Sequence, residues 1–447
     1  MTNRKITRRQ AIATASAGTL GALTTLPFTS INLSNTTKLA IHGGNKVRSA
    51  TWPAWPVWDP AAETDMLQML RSGRWWRGRG EHVEEFEKQY ANLMGAKRCL
   101  ATASGTTALL VAMHVLGVDA GDEVLVSPYT FIATYNVIFM SKALPVFIDT
   151  DPETFLINPE DMEGKITDRT SAILPVHIYG LPVDMDKVMA VARKHNLKVI
   201  EDACQAWLGE YKGKKLGTLG DLGCFSFQNS KNLPTGEGGA IVGNNDEIMD
   251  RCHSFHNCGR PFGSVERSSE YPMRGSNRRM QQYQAITLLS QMKRIQADAD
   301  RRLENALYLD KKLNEIPGIK TYRLVTEEAR SAYHMYPFRF ISEEFGGVKR
   351  EKFIEALRAE GIACSPGYGP QNKEGIIEEA LSSKGYKRLF SESRLRQWRE
   401  QNHLPGNDRL CREAVIFGQN MLLGTRSDMD DIAHAILKIY ENRESLR

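Results

Sequence analysis

The chain has 447 residues, 41% of them hydrophobic and 25% charged. That usage excludes a disordered or collagen-like chain and is enough for two packed cores. Of 58 basic residues against 53 acidic ones, four (Arg4, Lys5, Arg8 and Arg9) fall in the first ten positions; the remainder is close to neutral, which argues against a general nucleic-acid-binding surface.

Thr7-Arg8-Arg9-Gln10-Ala11-Ile12 resembles a twin-arginine export pattern, with Ala11 where that pattern usually has Phe. A stretch diluted with Ala, Thr and Gly follows, from Ala11 to Leu26. Its length suits a signal segment, but a membrane span needs about 20 strongly apolar residues. Residues 1–31 are therefore expected to be an export segment that carries the protein out of the cytoplasm. A silent signal would leave it cytoplasmic. No later segment reads as a membrane span.

Val83, Phe86, Tyr90 and Met94 recur at helical spacing before Gly95, and residues 106–116 read as a buried helix. Strand-like runs follow at 123–127, 145–149, 172–177, 198–201, 224–227 and 240–242, with helical segments such as 184–195 between several of them. This alternation predicts an α/β domain with a parallel sheet and helices on both faces. Ligands of such sheets gather outside the carboxyl ends of the strands. Residues 281–313 form a long, polar, helical pattern that leads into a second domain. There 336–341 reads as a strand, and 349–360 and 429–441 as helices. The boundary is placed near residue 295, giving a large domain at 32–295 and a small one at 296–447.

The seven cysteines form no CxxC pair, and the ten histidines lack metal-ligand spacing, so neither a disulfide framework nor a metal site is expected. Gly217-x-x-Gly220-x-x-Gly223 lacks the dinucleotide-binding spacing and reads as turns.

One constellation carries chemistry. Asp202 closes the run 198–201, and Ser226-Phe227-Gln228-Asn229-Ser230-Lys231 precedes Gly236-Glu237-Gly238-Gly239. An amine that must form a Schiff base has to sit at the mouth of the sheet, near a buried carboxylate and a phosphate cradle. The chain supplies all three. A pyridoxal ring is an electron sink only while its nitrogen stays protonated, which calls for an acid such as Asp202. Its phosphate calls for backbone donors at a helix start, which Ser104-Gly105-Thr106-Thr107 offers, and Ser226 adds a hydroxyl.

Residues 39–445 resemble the DegT–StrS family of pyridoxal-phosphate sugar aminotransferases, a branch of the fold-type-I transferases. The matching motifs are Ser104-Gly105-Thr106-Thr107-Ala108-Leu109, Pro128-Tyr129-Thr130-Phe131-Ile132-Ala133-Thr134, Glu201-Asp202-Ala203-Cys204-Gln205-Ala206, and Ser226-Phe227 to Lys231 with the following glycines. The resemblance implies a large, mainly parallel-sheet domain and a smaller α+β C-terminal domain. It also implies pyridoxal 5′-phosphate as cofactor, bound covalently by Lys231, with Asp202 on the pyridine nitrogen and Gln205 at the ring's hydroxyl side. Phe131 would stack on the ring, and Gly105, Thr106 and Ser226 would take the phosphate. Gly275-Ser276-Asn277 matches a motif whose Asn reaches the neighbouring subunit's phosphate site, so Asn277 implies a homodimer with shared active sites. The expected reaction moves an amino group from glutamate or glutamine to a keto-sugar or keto-cyclitol.

Leu39-Ala40-Ile41-His42-Gly43-Gly44, Trp52-Pro53-Ala54-Trp55-Pro56 and Ser72-Gly73-Arg74-Trp75-Trp76 resemble the branch of glutamine-dependent keto-inositol aminotransferases. Gly367-Tyr368-Gly369-Pro370 stands where the family commonly has His-Tyr-x-Pro. That departure and the export pattern both argue against a nucleotide-linked sugar. Trp75 and Trp76 read either as a stacking surface for a sugar or cyclitol ring or as a packed lid or dimer contact. His177 and Tyr179 follow a strand end and read as site-lining or structural. Arg278 and Arg279 read as holding a donor carboxylate or as surface ion pairs. Two other functions fit the scaffold. A pyridoxamine-dependent dehydratase would replace the lysine with His, which Lys231 argues against. A non-catalytic exported binding protein would not retain Lys231, Asp202, Gln205 and Ser226 together.

Overall fold

The computed structural model describes residues 38–447; the expected export segment, 1–31, lies outside the described residues. Seven strands, β1 (Arg98–Thr102), β2 (Glu123–Val126), β3 (Leu144–Phe147), β4 (Thr170–Leu174), β5 (Lys198–Asp202), β6 (Leu222–Ser226) and β7 (Gly239–Gly243), form one sheet. Its order is β1-β7-β6-β5-β4-β2-β3. Strands β3, β2, β4, β5 and β6 run parallel, as their continuous apolar runs predict, and every residue of β2, β3, β6 and β7 is buried.

The sheet is mainly parallel, as expected, with strand β7 running antiparallel to both β1 and β6. The chain between β6 and β7 holds turns and no helix. Parallel strands need a crossover, usually helical, so a connection without one returns antiparallel. Lys231 lies in this connection, just beyond the carboxyl end of β6. Strand β1 was not expected. It begins with a charged residue, soon after a helix, and β7 is its one partner strand, with Thr102 also bridged to Arg279.

The helices that frame the site are α1 (Glu63–Ser72), α2 (His82–Met94), α3 (Gly105–Val115), α4 (Ala133–Met140), α5 (Met185–His195), α6 (Asp246–His256) and α7 (Gln282–Leu313). Helix α2 buries Val83, Phe86, Tyr90 and Met94, the face its spacing predicts, and ends at Gly95 in the left-handed region, φ 67°. The 32-residue α7 is continuous, so the boundary expected near 295 falls inside one helix. Beyond α7, Ile319–Thr321, Met335–Phe340, Ala414–Gly418 and Ser365–Pro366 make an antiparallel four-stranded sheet in that order.

Two stretches cross between the sheets. At the start of the described chain, the Ala40 and Val47 N–H groups donate to the Glu360 carboxylate at 2.8 and 3.1 Å, and Arg48 pairs with Asp428 and Asp431. Between Ser365–Pro366 and Ala414–Gly418, a helical excursion packs back onto the large sheet. There Tyr386 Oη donates to Ala143 O at 2.6 Å, Trp398 Nε1 to Pro145 O at 2.7 Å and Arg394 Nε to Glu123 Oε1 at 2.5 Å. No described helix is long and apolar enough to cross a membrane.

Candidate active site

A cavity of about 670 Å³ opens at the carboxyl ends of β5 and β6, lined by Ser104–Thr106, Phe131, Asp202, Gln205, Ser226 and Lys231 from the large sheet's side and by His334, Met335, Gly367 and Tyr368 from the other. Its floor is Asp202, the last residue of β5, only 5% exposed. Thr134 Oγ1 donates to Asp202 Oδ2 at 2.8 Å and the Cys204 N–H to Oδ1 at 3.1 Å. Because the Thr134 proton is committed to the carboxylate, the Thr130 hydroxyl, 2.7 Å from Thr134 Oγ1, is the donor in that pair. Thr134 was present in the matched motif but had been given no role. Its position one turn after Thr130 was the available signal.

The neighbouring carboxylate faces away from the cavity. Glu201 is fully buried and accepts the N–H groups of Gly217, Leu219 and Gly220 at 2.8, 2.6 and 2.6 Å. The glycine run is thus a turn wrapped around an anion. His177 also bonds Glu201, Nε2 to Oε2 at 2.9 Å, while its Nδ1 accepts the Val183 N–H at 3.1 Å. The proton therefore sits on Nε2, and His177 is a prop beneath β5 outside the cavity.

Helix α3 starts at the cavity wall. Ser104 caps it through a reciprocal bond with Thr107, which uses the Thr107 N–H and leaves those of Gly105 and Thr106, both at the cavity wall, for a ligand. A Cβ on Gly105 would stand 2.6 Å from Ser226 Cβ and 2.9 Å from Cys204 Sγ. Only glycine lets the helix start come this close to the end of β6. Phe131, 55% exposed, stands free at the rim before α4.

Lys231 reaches in from the β6–β7 connection. Its Nζ lies 5.9 Å from the centre of the Trp207 ring, and burial holds its ammonium below the usual lysine range, against the opposing pull of Cys204 and Asp202. His334 is likewise driven well below the ordinary imidazole range, by burial and then by Lys231 and Arg302.

The opposite wall is aromatic, and sequence reasoning missed most of it. Tyr179 and Tyr368 stack with ring centres 5.5 Å apart, and Tyr179 Oη lies 3.1 Å from Tyr129 Oη. Gln205 ties the group down, accepting the Tyr179 N–H at 2.8 Å and donating from Nε2 to Tyr368 Oη at 3.1 Å. Burial pushes the Tyr368 hydroxyl up to about 12, so it stays a donor. A Cβ at Gly367 would meet Tyr129 Oη at 2.0 Å, which accounts for the missing side chain in Gly367-Tyr368-Gly369-Pro370. Gly367→Ala is expected to cost about 1–3 kcal/mol of stability through overpacking. Calorimetry showing an unchanged melting temperature would mean the tyrosine yields freely.

The remaining candidates lie outside this cavity. Asn277 is exposed, bridged to Asn257 on the outer surface. Arg279 Nη1 donates to Asn257 Oδ1 at 2.8 Å, and its guanidinium lies 5.7 Å from the Trp76 ring. Trp75 and Trp76, 54% and 44% exposed, stand on the same face near α1. Among the described residues, no group of three or more His, Cys, Asp or Glu could hold a metal ion.

Fold and cavity together define an α/β transferase of the class that works with pyridoxal phosphate. A solved 3-amino-5-hydroxybenzoic acid synthase is 28% identical with a TM-score of 0.79, covering 89% of this chain and 100% of that one. An aminotransferase from Psychrobacter cryohalolentis is 27% identical with a TM-score of 0.76, covering 88% and 99%. The chain belongs to the DegT/DnrJ/EryC1/StrS aminotransferase family, whose pattern matches residues 59–416, and it is an aminotransferase. It is 34% identical to the L-glutamine:2-deoxy-scyllo-inosose aminotransferase of Streptoalloteichus tenebrarius, covering 92% of this chain and 99% of that one. It is 31% identical to the L-glutamine:scyllo-inosose aminotransferase of Streptomyces griseus, covering 90% and 98%.

Proposed function

We propose that the cavity binds pyridoxal 5′-phosphate and transfers an amino group from L-glutamine or glutamate to a keto-cyclitol, with a keto-sugar as the other acceptor class. The observation that carries this reading is the meeting of a buried amine, a buried carboxylate and an open helix start in one cavity at the strand ends. The names of the relatives support the donor and the acceptor ring.

The residues fit that cofactor. The N–H groups at the start of α3 and the Ser226 hydroxyl suit a phosphate dianion, and Asp202 suits a protonated ring nitrogen. Phe131 offers a stacking face, and Gln205 keeps one amide N–H for the ring's hydroxyl side. When bound, the group supplies an electron sink for the donor's α-carbon. Asp202 would hold a proton on the ring nitrogen by its negative charge. Lys231 Nζ would be the base that takes the donor's α-proton and holds it for return during the transfer. Burial suits it to this task, because a neutral amine must be available near neutral pH. The Tyr179–Tyr368 pair, backed by Tyr129, offers an aromatic face and the Tyr368 hydroxyl to a polyol ring.

The test is borohydride reduction of the purified protein followed by peptide mass mapping, then half-reactions with glutamine, glutamate, keto-inositols and nucleotide-linked keto-sugars. A cofactor adduct on Lys231 and turnover with glutamine and a keto-inositol are expected. Absence of any adduct, or turnover of nucleotide sugars alone, would sink the reading.

The protein is further proposed to act as a homodimer. Leu67, Leu70, Trp75 and Trp76 expose large apolar side chains on α1 and the loop after it, a patch of the kind that marks association. Asn277 would complete the partner's phosphate site from this side. Mixing Lys231→Ala and Asn277→Ala subunits is then expected to restore part of the activity, because one hybrid site holds both native residues. Verified heterodimers without recovery would count against sharing. Export belongs to the same proposal. Residues 1–40 fused to a reporter that must fold before transport are expected to leave the cytoplasm, and changing Arg8 and Arg9 to Lys is expected to block this. Retention of the unmodified fusion would overturn it.

A further inference from the structure

Lys231 is held from both sides of its backbone. Its N–H donates to Gln228 O at 2.9 Å, and its carbonyl accepts the indole N–H of Trp55 at 3.0 Å. Trp55 belongs to a strap that is itself tied at many points. Trp52 Nε1 donates to Gly361 O at 3.3 Å, Asn420 Nδ2 to Pro53 O at 2.8 Å, and Gln291 Nε2 to Val57 O at 2.7 Å. Two guanidinium groups flank the Trp55 ring, Arg302 at 5.2 Å and Arg294 at 5.7 Å from its centre. Arg302 is fully buried, and Gln419 Oε1 accepts from its Nε and Nη2 at 2.9 and 2.5 Å. Its Nη1 has no hydrogen-bond partner. A buried cation is costly, and here it is spent on holding one indole ring by its face. An indole that merely filled space would need neither guanidinium.

Within the β6–β7 connection the Phe227 N–H donates to Gly238 O, the Thr235 N–H to Phe227 O and the Asn229 N–H to Gly236 O, at 2.8, 2.8 and 2.9 Å; these close the base of the loop, and none of them engages the Lys231 carbonyl. Besides the Trp55 bond, Asn232 anchors the connection through Nδ2 to Ala332 O at 2.9 Å. We propose that Trp55 is a positioning residue for Lys231, through which the strap at 48–59 sets the place of the reactive amine from the side of the small sheet. This rests on the reading of Lys231 as that amine. A flexible four-carbon stem keeps a defined Nζ position only if its backbone is fixed.

The test measures the amine directly. In the full chain freed of cofactor, reductive methylation of Lys231 is followed across pH by peptide mass, for wild type, Trp55→Phe and Trp52→Phe. Trp55→Phe is expected to move the labelling midpoint up by about one unit, towards the free-lysine value of ~10.4, as the loosened amine reaches water. In the holoenzyme, kcat is expected to fall about tenfold, one unit's loss of neutral amine, with the donor's KM changed less than the kcat. Trp52→Phe removes an N–H from the same strap without touching Lys231 and is expected to leave the midpoint unmoved. If Trp55→Phe does not fold, 3-benzothienylalanine at position 55 keeps the ring and deletes only the N–H, with the same shift expected. A midpoint unmoved by either change at position 55, or moved equally by Trp52→Phe, would overturn the proposal. Failure of the underlying reading shows separately, as a wild-type protein with no borohydride-fixed adduct on Lys231.

Discussion

Lys231→Ala is expected to lower turnover by about 10³-fold or more, within the range that a positioned acid–base group contributes. The fold is expected to survive. Lys231 sits in a connection rather than in a strand, and removing a buried amine relieves a desolvation cost instead of opening a packed core. The measurement pairs single-turnover kinetics with calorimetry. A melting temperature at or above wild type with loss of turnover is the expected result. Transamination persisting at the wild-type rate would show that another amine does the work.

Asp202→Asn is expected to slow the reaction by about 10²–10³-fold, as when one preorganised electrostatic group is lost. The change keeps shape and volume, but only one oxygen remains where two accepted from Thr134 and Cys204. Thr134 can turn to accept from the new amide and give its freed proton to Thr130, so that Thr130 accepts in that pair and its own proton loses this partner. That rearrangement is expected to cost about 1 kcal/mol, the net worth of one hydrogen bond. Cofactor affinity measured by fluorescence is expected to fall far less than the rate. Equal losses in both would mean that Asp202 anchors the group without tuning it.

These two residues were legible in the sequence because each stands next to a strand in a contiguous motif, where one short window fixes both identity and place. Strand parity carried further than was used. Val176 stands beside Asp202 in register, so His177 is out of phase with Asp202 and points with Glu201, away from the cavity. The tyrosine wall could not be read. Positions 129, 179 and 368 are far apart in sequence and meet only because three loops converge, with Tyr179 held at φ 57° where nothing in the residue type announces it. Trp55 escaped for the same reason, since its partner is a backbone carbonyl, which no side-chain pattern records. The helical excursion after Pro370 was missed because its apolar positions serve a sheet edge far away in sequence, as with the Trp398 bond to Pro145, 253 residues apart.

That excursion bears on how the enzyme admits its substrates. The small sheet is joined to the large one through an unbroken α7, and between two of its own strands the chain is fastened to the far edge of the large sheet by the indole of Trp398, the phenol of Tyr386 and the buried ion pair of Arg394 with Glu123. These contacts tie the small sheet to the large one at a second place, apart from α7. Parting the sheets there would separate Arg394 from the fully buried Glu123 carboxylate and strip Trp398 Nε1 and Tyr386 Oη of their acceptors. Any widening of the cavity mouth by parting the two sheets would therefore have to undo these side-chain contacts as well as bend α7.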